Sequence, residues 1–531
     1  MEHKIGEYHR RLLADESGGI LKRRQGKISV ALVYPNTYSV GMSSLGFQAV
    51  YRLLNSTNDI VCERAFLPEI RFKNANDIIT LESGRPLRQF DMLAFSISFE
   101  NDYPNMLTIL ALAGIPFFSA DRKDSHPLVA AGGVACLLNP EPIASFVDCF
   151  FIGEAEEMLL PFFNRFVPGD PRADQLKRIA RHVKGIYVPA CYQSRYSADG
   201  RLQSMAPIAD VPEKITRVYL KNLDAVDTSS AIVTPHTTFD RTHLIEVSRG
   251  CPHGCRFCGA GFIYRPPRFR SLAFLKAGLK AGEKRSNKIG LVGAAVSDLP
   301  NLNELCAQAG PQTRLSFSSL RADALNNELI DAMKRSGVKT ATIAPDAGSQ
   351  RLRNVINKGL QEVNILEAVE NLVANNIPNV KLYFMVGLPT ETPFQWVAMD
   401  ETILLKEKIK RIKSKLRRVS NIQVHADVPK WAFVQGVLSR GDRRVSGILK
   451  SLHDNKGNWA KTFKSSVVNP DFYVHRERPL DEVFPWDFID HGLSKAFLKA
   501  EYKKAILEKT TPPCKPSAAC GVCGVCTSPP A

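Results

Sequence analysis

The sequence predicts an α/β protein with two sheet domains in tandem, followed by a mainly helical region. Strand-like and helix-like segments alternate from Lys27 to Phe151 and again from Thr242 to Pro389, and this alternation stops after Thr392. Alternation of this kind is typical of parallel sheets covered by helices. The 531 residues suffice for three or four domains. We predict the boundaries at 1–215 for a Rossmann-like domain, 216–400 for a partial barrel, 401–510 for the helical region and 511–531 for a Cys-rich tail.

The first domain contains continuous apolar runs, as expected of strands buried on both faces. These runs are Ile28 to Tyr34, Met92 to Ser98, Pro127 to Gly133 and a fourth run that begins at Val147. Helix-like segments separate them, which predicts a doubly wound parallel sheet. In such a sheet, ligands bind at the carboxyl ends of the strands.

An irregular stretch from Val183 to Asp240 links the first domain to the second, where the alternation resumes. Its predicted strands are His243 to Ser248, Lys288 to Gly293, Arg314 to Leu320, Thr340 to Pro345 and Lys381 to Pro389. Repeated βα units of this length predict a full or partial α/β barrel with its site at the strand C-termini.

Composition excludes several classes of protein. The chain is 44% hydrophobic and 23% charged, which is typical of globular proteins and not of disordered or fibrous ones. No apolar run reaches the roughly 18 residues of a membrane span, and the charged N-terminus is not that of a secretory signal. We therefore expect a cytoplasmic protein without membrane contact. The 70 Lys and Arg against 53 Asp and Glu give a net charge of +17.

Twelve cysteines are distributed unevenly. Cysteines clustered in a reducing compartment indicate metal ligands or catalysts rather than disulfides. Five are scattered in apolar surroundings and are interpreted as buried structural thiols: Cys62, Cys136, Cys149, Cys191 and Cys306. The other seven form two groups: Cys251, Cys255 and Cys258, then Cys514, Cys520, Cys523 and Cys526.

The first group lies in one short loop after a predicted strand, as Cys251-Pro-His-Gly-Cys255-Arg-Phe-Cys258. Three thiolates can bind three irons of a cubane cluster and leave the fourth iron open. A structural zinc site is the alternative, but it would normally have four ligands. His253 could be the fourth, although a residue inside so short a loop would be strained to converge with its neighbours.

The spacing C-x3-C-x2-C, with Phe257 before the last Cys, resembles the radical S-adenosylmethionine (SAM) superfamily. The resemblance implies a [4Fe-4S] cluster, SAM bound to the open iron, and a reductant such as flavodoxin or ferredoxin. It also implies that residues at strand C-termini contact SAM; ordinary caps and turns are the alternative for each. These cofactor-binding candidates are Phe257, Ser297, Asp298, Ser319, Arg321 and Asp346.

The order of the two domains resembles the cobalamin-binding architecture of class B radical SAM enzymes. Asp148 to Glu157 is similar to a segment of those domains, but the motif D-x-H-x-x-G is missing. The nearest string, Asp124-Ser-His126, lacks the Gly and lies in the wrong place. Either cobalamin binds without a protein His on cobalt, or the domain is a scaffold that has lost it.

Longer strings extend the resemblance over nearly the whole chain. Y-P-N-T-Y-S-V-G-M-S-S-L-G-F-Q, A-P-D-A-G-S-Q-R-L-R-N-V-I-N-K-G and L-S-R-G-D-R-R-V are similar to an uncharacterised bacterial radical SAM family. Its members are often fused to, or encoded beside, a small domain, which implies a separate small partner domain. Relatives place a helix and a final barrel strand after G-L-P-T-E-T, whereas here Thr392 is followed at once by Pro393-Phe-Gln-Trp396. The sequence therefore calls closure of the barrel into question, because loss of a strand would bare a sheet edge with unpaired backbone groups, which a folded protein must cover.

Two features follow the barrel. Residues 406–418 carry eight Lys and Arg with Ile409, Ile412 and Leu416 at helical spacing, which predicts an amphipathic helix with a basic face. Such a face can contact RNA phosphates, and a charged face kept in water is the commoner explanation.

The four tail thiols can hold zinc or a second Fe–S cluster, or the tail is disordered without metal. Because the tail follows a separate helical region, we expect it to lie apart from the catalytic site.

The leading hypothesis is a radical SAM enzyme that reductively cleaves SAM at a [4Fe-4S] cluster to modify an unknown substrate. Cobalamin-dependent methyl transfer and RNA modification are the two finer versions of it. The alternative is a non-catalytic, RNA-associated protein with a structural metal site. Cleavage of SAM to 5′-deoxyadenosine distinguishes an enzyme from a binding module.

Overall fold

The structure of the protein is a computed structural model. The structure describes residues 2–68, 78–318, 320–388, 390, 398–517 and 520–526. Within these ranges, no helix combines the length and apolarity needed to cross a bilayer.

The first domain is built on a six-stranded sheet with strand order β2-β1-β3-β4-β5-β6. Its strands are β1 (Ile28–Tyr34), β2 (Ile60–Phe66), β3 (Met92–Ser96), β4 (Leu128–Gly132), β5 (Cys149–Phe151) and β6 (Ile186–Tyr187). All neighbours are parallel except β5 and β6. The order 2-1-3-4-5 is that of flavodoxin-like sheets, whose ligand site lies where the order reverses, between β1 and β3. The predicted doubly wound sheet is confirmed.

Helices cover this sheet, and short antiparallel strands lead away from it. The helices are α1 (Glu2–Ala14), α2 (Tyr38–Met42), α3 (Leu45–Ser56), α4 (Tyr103–Leu112), α5 (Val134–Leu138), α6 (Ala155–Phe163) and α7 (Arg172–His182). A hairpin of β7 (Tyr192–Tyr196) and β8 (Leu202–Pro207) and the short β9 (Ile215–Thr216) follow. Ser44 caps α3 by accepting a hydrogen bond from the backbone of Phe47, which fixes where the helix begins after the β1 loop.

The second domain is a partial barrel of parallel strands. Its strands and helices are β10 (His243–Glu246), β11 (Ser248–Arg249), α8 (Ala260–Ile263), β12 (Arg268–Phe269), α9 (Leu272–Glu283), β13 (Lys288–Val292), α10 (Leu302–Ala307), β14 (Arg314–Phe317), α11 (Asn327–Arg335), β15 (Thr340–Asp346), α12 (Gln350–Val355), α13 (Glu362–Ala374) and β16 (Asn379–Phe384). β10, β13 and β14 pair in that order, and β15 pairs β16. A parallel bridge between Leu320 and Ile343 connects the two groups.

The last described barrel strand, β16, pairs β15 on one side. Its side chains Leu382, Tyr383 and Phe384 are 41%, 57% and 51% exposed, as expected of a strand at an open edge. The junction from Thr392 to Trp396, on which the predicted loss of a strand rests, lies outside the described residues. The barrel therefore has five main strands in the part of the chain that is described.

The C-terminal region is mainly helical, as predicted. It contains α14 (Thr402–Leu416), α15 (Pro429–Arg440), α16 (Val445–Asp454), α17 (Trp459–Lys464), α18 (Asp471–Val474), β17 (Ile489–Asp490) and α19 (Lys495–Ile506). Side chains of α15, α16 and α18 belong to the same hydrophobic core as the first sheet. Asn139 also donates to the backbone carbonyls of Ser439 (3.0 Å) and Gly441 (2.8 Å). These three helices thus pack onto the first domain, whereas Phe497 of α19 lies in a small core with residues of the tail.

Candidate functional site

The three-cysteine loop follows the first barrel strand, as the sequence predicts. β10 ends at Glu246, the short β11 ends at Arg249, and Gly250 turns the chain into Cys251. Gly250 has φ of +81°, and a Cβ there would lie 2.5 Å from the carbonyl oxygen of Tyr264. A side chain at this position would clash with backbone, so the turn that presents the cysteines requires glycine.

The thiols of the loop lie in a partly buried environment. Cys255 is buried, and Cys251 and Cys258 are half-buried. Burial raises the pKa of Cys251 to about 11, and the neighbouring Cys255, Asp298 and Cys258 add to it. Burial also raises the pKa of Cys255, whereas Lys358 and Arg321 act in the opposite direction. Since iron binds thiolates, metal binding must supply the free energy that deprotonates these groups.

Two predicted SAM-contacting residues converge on this loop from the end of the next strand. The Nε2 atom of His253 lies 2.9 Å from Oδ1 and 3.0 Å from Oδ2 of Asp298. His253 therefore pairs with a carboxylate of the neighbouring βα loop and is not directed at a shared metal position. The backbone N–H of Arg321 donates to Ser297 Oγ at 3.2 Å, which joins the loops after β13 and β14.

The loops after β14 and β15 complete the same rim. Asp346 adopts φ of +63° and forms an ion pair with Lys358, with 2.5 Å between Oδ2 and Nζ. Arg321 donates to the carboxylate of Asp323 at 3.0 and 2.8 Å. Asn357 donates to the carbonyl of Gly254 at 3.0 Å and so attaches this rim to the cysteine loop.

Two predicted residues do not join this group. Phe257 is 44% exposed. Ser319 lies outside the described residues. His253, Asn357 and Lys358 are neighbours of the loop that the sequence analysis did not assign as cofactor contacts. Asn357 and Lys358 belong to the string A-P-D-A-G-S-Q-R-L-R-N-V-I-N-K-G of the sequence analysis. Asn357 has φ of +52°, and this left-handed residue marks the turn that brings both side chains to the cysteine loop.

The thiol set was compared with two kinds of metal centre. Within the described ranges, no three His, Cys, Asp or Glu side chains converge on the position of one metal ion. A cubane cluster does not require such convergence, because each thiolate binds a different iron. Three thiols in one loop, beside the Lys358 and Arg321 cations that offset the charge of thiolates, fit a cluster with one open iron.

A cavity of about 490 Å³ lies between the first sheet and the barrel. It is lined on the sheet side by small residues of β3, β4 and the following turn: Ala94, Ala130, Ala131, Gly132 and Gly133. On the barrel side it is lined by Ser248, Arg249, Gly250 and Gly293, and by Ala260 and Tyr264, which follow Cys258. The cavity thus extends from the strand-order reversal of the sheet to the start of the cysteine loop.

Two hydroxyl-bearing residues, Thr228 and Ser248, also line this cavity. Their hydroxyl oxygens are buried without a hydrogen-bond partner among the described residues. An unpaired buried hydroxyl is costly. His126 lies elsewhere: it precedes β4 and accepts a hydrogen bond from the backbone of Lys123 at 3.0 Å, at the amino end of the strand.

A buried charge network joins the two domains beside the cavity. The Glu154 carboxylate accepts from Arg249 at 2.6 Å, from Arg268 at 2.7 and 3.0 Å and from the backbone of Leu220 at 3.0 Å. Burial raises the pKa of Glu154, but Arg268 and Arg249 outweigh it and the pKa is lowered. Arg249 also donates to Glu156 at 2.8 Å. The strand end that leads to Cys251 is therefore held by the first domain.

The C-terminal tail lies against the cysteine loop, which corrects the expectation that it lies apart. The backbone N–H of Cys514 donates to the carbonyl of Pro252 at 2.7 Å. Cys523 and Val525 form a small core with Phe497, and Phe262 packs against it. The four tail thiols lie close enough that Cys523, Cys526 and Cys520 raise the pKa of Cys514, after burial as the main cause.

Comparisons with known proteins agree with this geometry. The family described as "Radical SAM proteins, N-terminal" matches residues 46–189, and "Radical SAM superfamily" matches residues 245–403. An uncharacterized protein of Methanocaldococcus jannaschii is 33% identical over 411 residues, which are 76% of this chain and 78% of that protein. The hopanoid C-2 methylase of Rhodopseudomonas palustris is 26% identical over 247 residues, which are 44% of this chain and 46% of the methylase.

A solved structure also matches. The radical S-adenosylmethionine methyltransferase TsrM from Kitasatospora setae, with tryptophan substrate and a SAM analogue bound, has 13% sequence identity and a TM-score of 0.45. The match covers 74% of this chain and 71% of TsrM.

The α/β barrel with three cysteines after its first strand defines a class of proteins built around an iron–sulfur cluster. The extent of the sequence match places the chain within that class: it belongs to the radical SAM superfamily. Members of this superfamily use a [4Fe-4S] cluster and SAM, and the named relatives include methylases.

Proposed function

We propose that this protein is a radical SAM enzyme that cleaves SAM reductively and carries out methyl transfer with a cobalamin bound by the first sheet domain. The observation that carries the proposal is the cavity, which joins the strand-order reversal of the sheet to the loop after β11. Ligands of flavodoxin-like sheets bind at this reversal. The likeness to a methylase over less than half of each chain supports the choice of methyl transfer.

The cysteine loop would hold the cluster, with Cys251, Cys255 and Cys258 each on one iron. When bound, the cluster supplies one electron to the SAM sulfonium, and cobalamin supplies a methyl carrier. Ser297, Asp298, Arg321 and Asp346, which stand at successive strand ends, would contribute the short polar groups that orient a nucleoside and an amino acid. We call these residues the rim of the site. Pairing with His253 and Lys358 fixes the two carboxylates of this rim.

The first sheet would hold cobalamin through shape and apolar contact. Gly133 has φ of +106°, and a Cβ there would lie 2.4 Å from the carbonyl oxygen of Ile97. Glycine at this position therefore lets the turn after β4 pack on the backbone of Ile97, and the small side chains of Ala94, Ala130 and Ala131 keep the sheet side of the cavity open. Since His126 lies at the amino end of β4, we expect cobalamin to bind without it as a cobalt ligand.

The first experiment tests SAM cleavage. Anaerobically reconstituted protein with SAM and dithionite should release 5′-deoxyadenosine, and the variant with Cys251, Cys255 and Cys258 replaced by Ala should not. Cys306→Ala removes a thiol from α10 of the same barrel and serves as the control. Cleavage by the triple variant would contradict the assignment of the cluster.

The second experiment tests cobalamin. Equilibrium dialysis with hydroxocobalamin should show retention by the full chain and loss of retention in Ala94→Phe, which fills the cavity from β3. Ala206→Phe, on the exposed face of β8, is the matched control. Equal retention by both variants would place cobalamin elsewhere, and no retention by the wild type would leave the domain as a scaffold.

RNA is a second candidate for what the protein binds, and the exposure of the basic helix favours it. The basic residues of this helix and its C-terminal extension are Lys406, Lys408, Lys410, Arg411, Lys413, Lys415, Arg417 and Arg418, and all but the half-buried Lys408 are exposed. Replacing Lys410, Arg411 and Lys413 by Gln should weaken the salt dependence of single-stranded RNA binding. The slope of the logarithm of the binding constant against the logarithm of the salt concentration should become shallower by about 2. An unchanged slope would show that the helix is a solvated face.

A further inference from the structure

The tail is attached to the cysteine loop by a series of hydrogen bonds. Arg256 donates to the carbonyl of Lys509 at 2.9 Å, and the backbone N–H of Thr511 donates to Asn357 Oδ1 at 2.8 Å. Asn357 in turn donates to Gly254, and Cys514 donates to Pro252 at 2.7 Å. Residues 509–514 therefore lie along the loop that carries the first three cysteines, although more than 250 residues separate them in sequence.

The tail thiols are held in place by packing as well. Cys523 is 4% exposed and packs with Phe497 and Phe262, and the latter lies in the helix that directly follows Cys258. The carbonyl of Cys523 accepts from the backbone of Ser494 at 2.9 Å, at the start of α19. The other three thiols are half-buried. Cys514 and Cys523 are thus held beside the loop and the helix that follows it by contacts that do not involve their sulfur atoms.

A buried cation lies between the two groups of thiols. Arg265 is buried, its guanidinium stacks over the rings of Phe262 and Phe497 at 5.1 and 5.4 Å, and it donates to Gly261 at 2.9 Å. It lies beside Gly254, where a Cβ would be 3.4 Å from Nη2. A fixed positive charge here would stabilise anionic clusters on both sides.

We propose that Cys514, Cys520, Cys523 and Cys526 hold a second iron–sulfur cluster that lies against the loop of the first and delivers electrons to it. The delivery of electrons rests on the proposed radical SAM function, whereas the metal site itself does not. Four thiolates select either zinc or an iron–sulfur cluster. The location favours the cluster, because a redox-active centre against the first cluster loop can exchange electrons with that cluster.

The electron balance of this role is simple. A one-electron donor of the ferredoxin or flavodoxin class is oxidised by one electron, and the tail cluster takes up that electron. The tail cluster then passes it to the first cluster, which reduces SAM and breaks one carbon–sulfur bond. No proton or atom moves between the two clusters.

The experiment compares anaerobically purified, reconstituted full chain with Cys520→Ala/Cys526→Ala, which leaves the buried Cys523 in place. Lys515→Ala, an exposed residue of the same tail, is the control. Iron, sulfide and zinc are measured in each, and SAM cleavage is measured once with dithionite and once with reduced flavodoxin. The wild type and Lys515→Ala should contain about eight irons, and the double variant about four. The double variant should keep dithionite-driven cleavage but lose about tenfold or more of the flavodoxin-driven rate.

Each outcome is decisive. Unchanged iron in the double variant, or loss of zinc in place of iron, overturns the second cluster. Equal rates with flavodoxin in wild type and double variant overturn the electron delivery. Absence of SAM cleavage by the wild type with dithionite, while the tail still accounts for about four irons, overturns the proposed function and leaves the metal site standing.

Discussion

Replacing Glu154 by Gln should strongly destabilise the junction between the first domain and the barrel. The side chains of Glu154, Arg268 and Arg249 are 4%, 8% and 13% exposed, so solvent screens this network little. Gln keeps the shape but removes the charge, which leaves the buried guanidinium of Arg268 without its carboxylate partner, whereas Arg249 keeps its ion pairs with Glu156 and Glu246. Breaking a buried ion pair from one side costs about 3–5 kcal/mol. At about 2–4 °C per kcal/mol, the melting temperature should fall by roughly 6–20 °C.

The assay is thermal unfolding of the full chain by differential scanning calorimetry, with Glu157→Gln as the matched control. Glu157 lies on the same helix, α6, and is exposed, so its substitution should change stability by less than about 0.5 kcal/mol. The folded-state pKa of Glu154 is lowered, so its contribution is present above about pH 4.5 and is lost as the pH falls through the folded value. The difference between the variants should therefore shrink in acid. Equal melting temperatures for both variants at pH 7 would refute this reasoning.

Three further predictions concern the loop and the barrel. Gly250→Ala forces a Cβ to within 2.5 Å of the Tyr264 carbonyl, so iron content after reconstitution should fall strongly, while an exposed change such as Lys515→Ala should leave it unchanged. Asn357→Ala removes the donor to the Gly254 carbonyl, which should lower the free energy of unfolding by about 1–3 kcal/mol. The same change should shorten the lifetime of the cluster in air, as measured by the decay of its visible absorbance. Burial lowers the pKa of His243 to about 4, so acidification from about pH 6.5 towards 4 should remove up to about 3 kcal/mol of stability. His243→Gln should flatten this pH dependence in urea titrations, and an unchanged slope would assign it to other groups.

Local patterns in the sequence predict most of the two sheets. β1 matches its predicted range from Ile28 to Tyr34, and each predicted barrel strand is found with its bounds shifted by a few residues. These strands are continuous apolar runs, and burial on both faces of a parallel sheet requires such runs. The cysteine loop was predicted on the same basis, since its spacing and its place after a strand are local features.

β2 was not predicted, because its middle carries charge. Glu63 and Arg64 are both buried in the strand Ile60–Phe66. Arg64 pairs with Glu16 at 2.7 Å and with Glu82 at 2.6 Å, and these partners come from before β1 and after β2. A charged pair interrupts the apolar pattern, and only the folded chain brings the partners that make its burial tolerable.

The sequence by itself determined the two α/β domains, the three-thiol loop and the presence of four further thiols in the tail. Only the tertiary structure decided that this tail lies on the cysteine loop, and that α15, α16 and α18 complete the core of the first sheet. Periodicity and spacing report on neighbours within a strand, a helix or a loop. The hydrogen bond between Cys514 and Pro252 joins distant parts of the chain, and it depends on how α19 and the barrel pack, which no local pattern encodes.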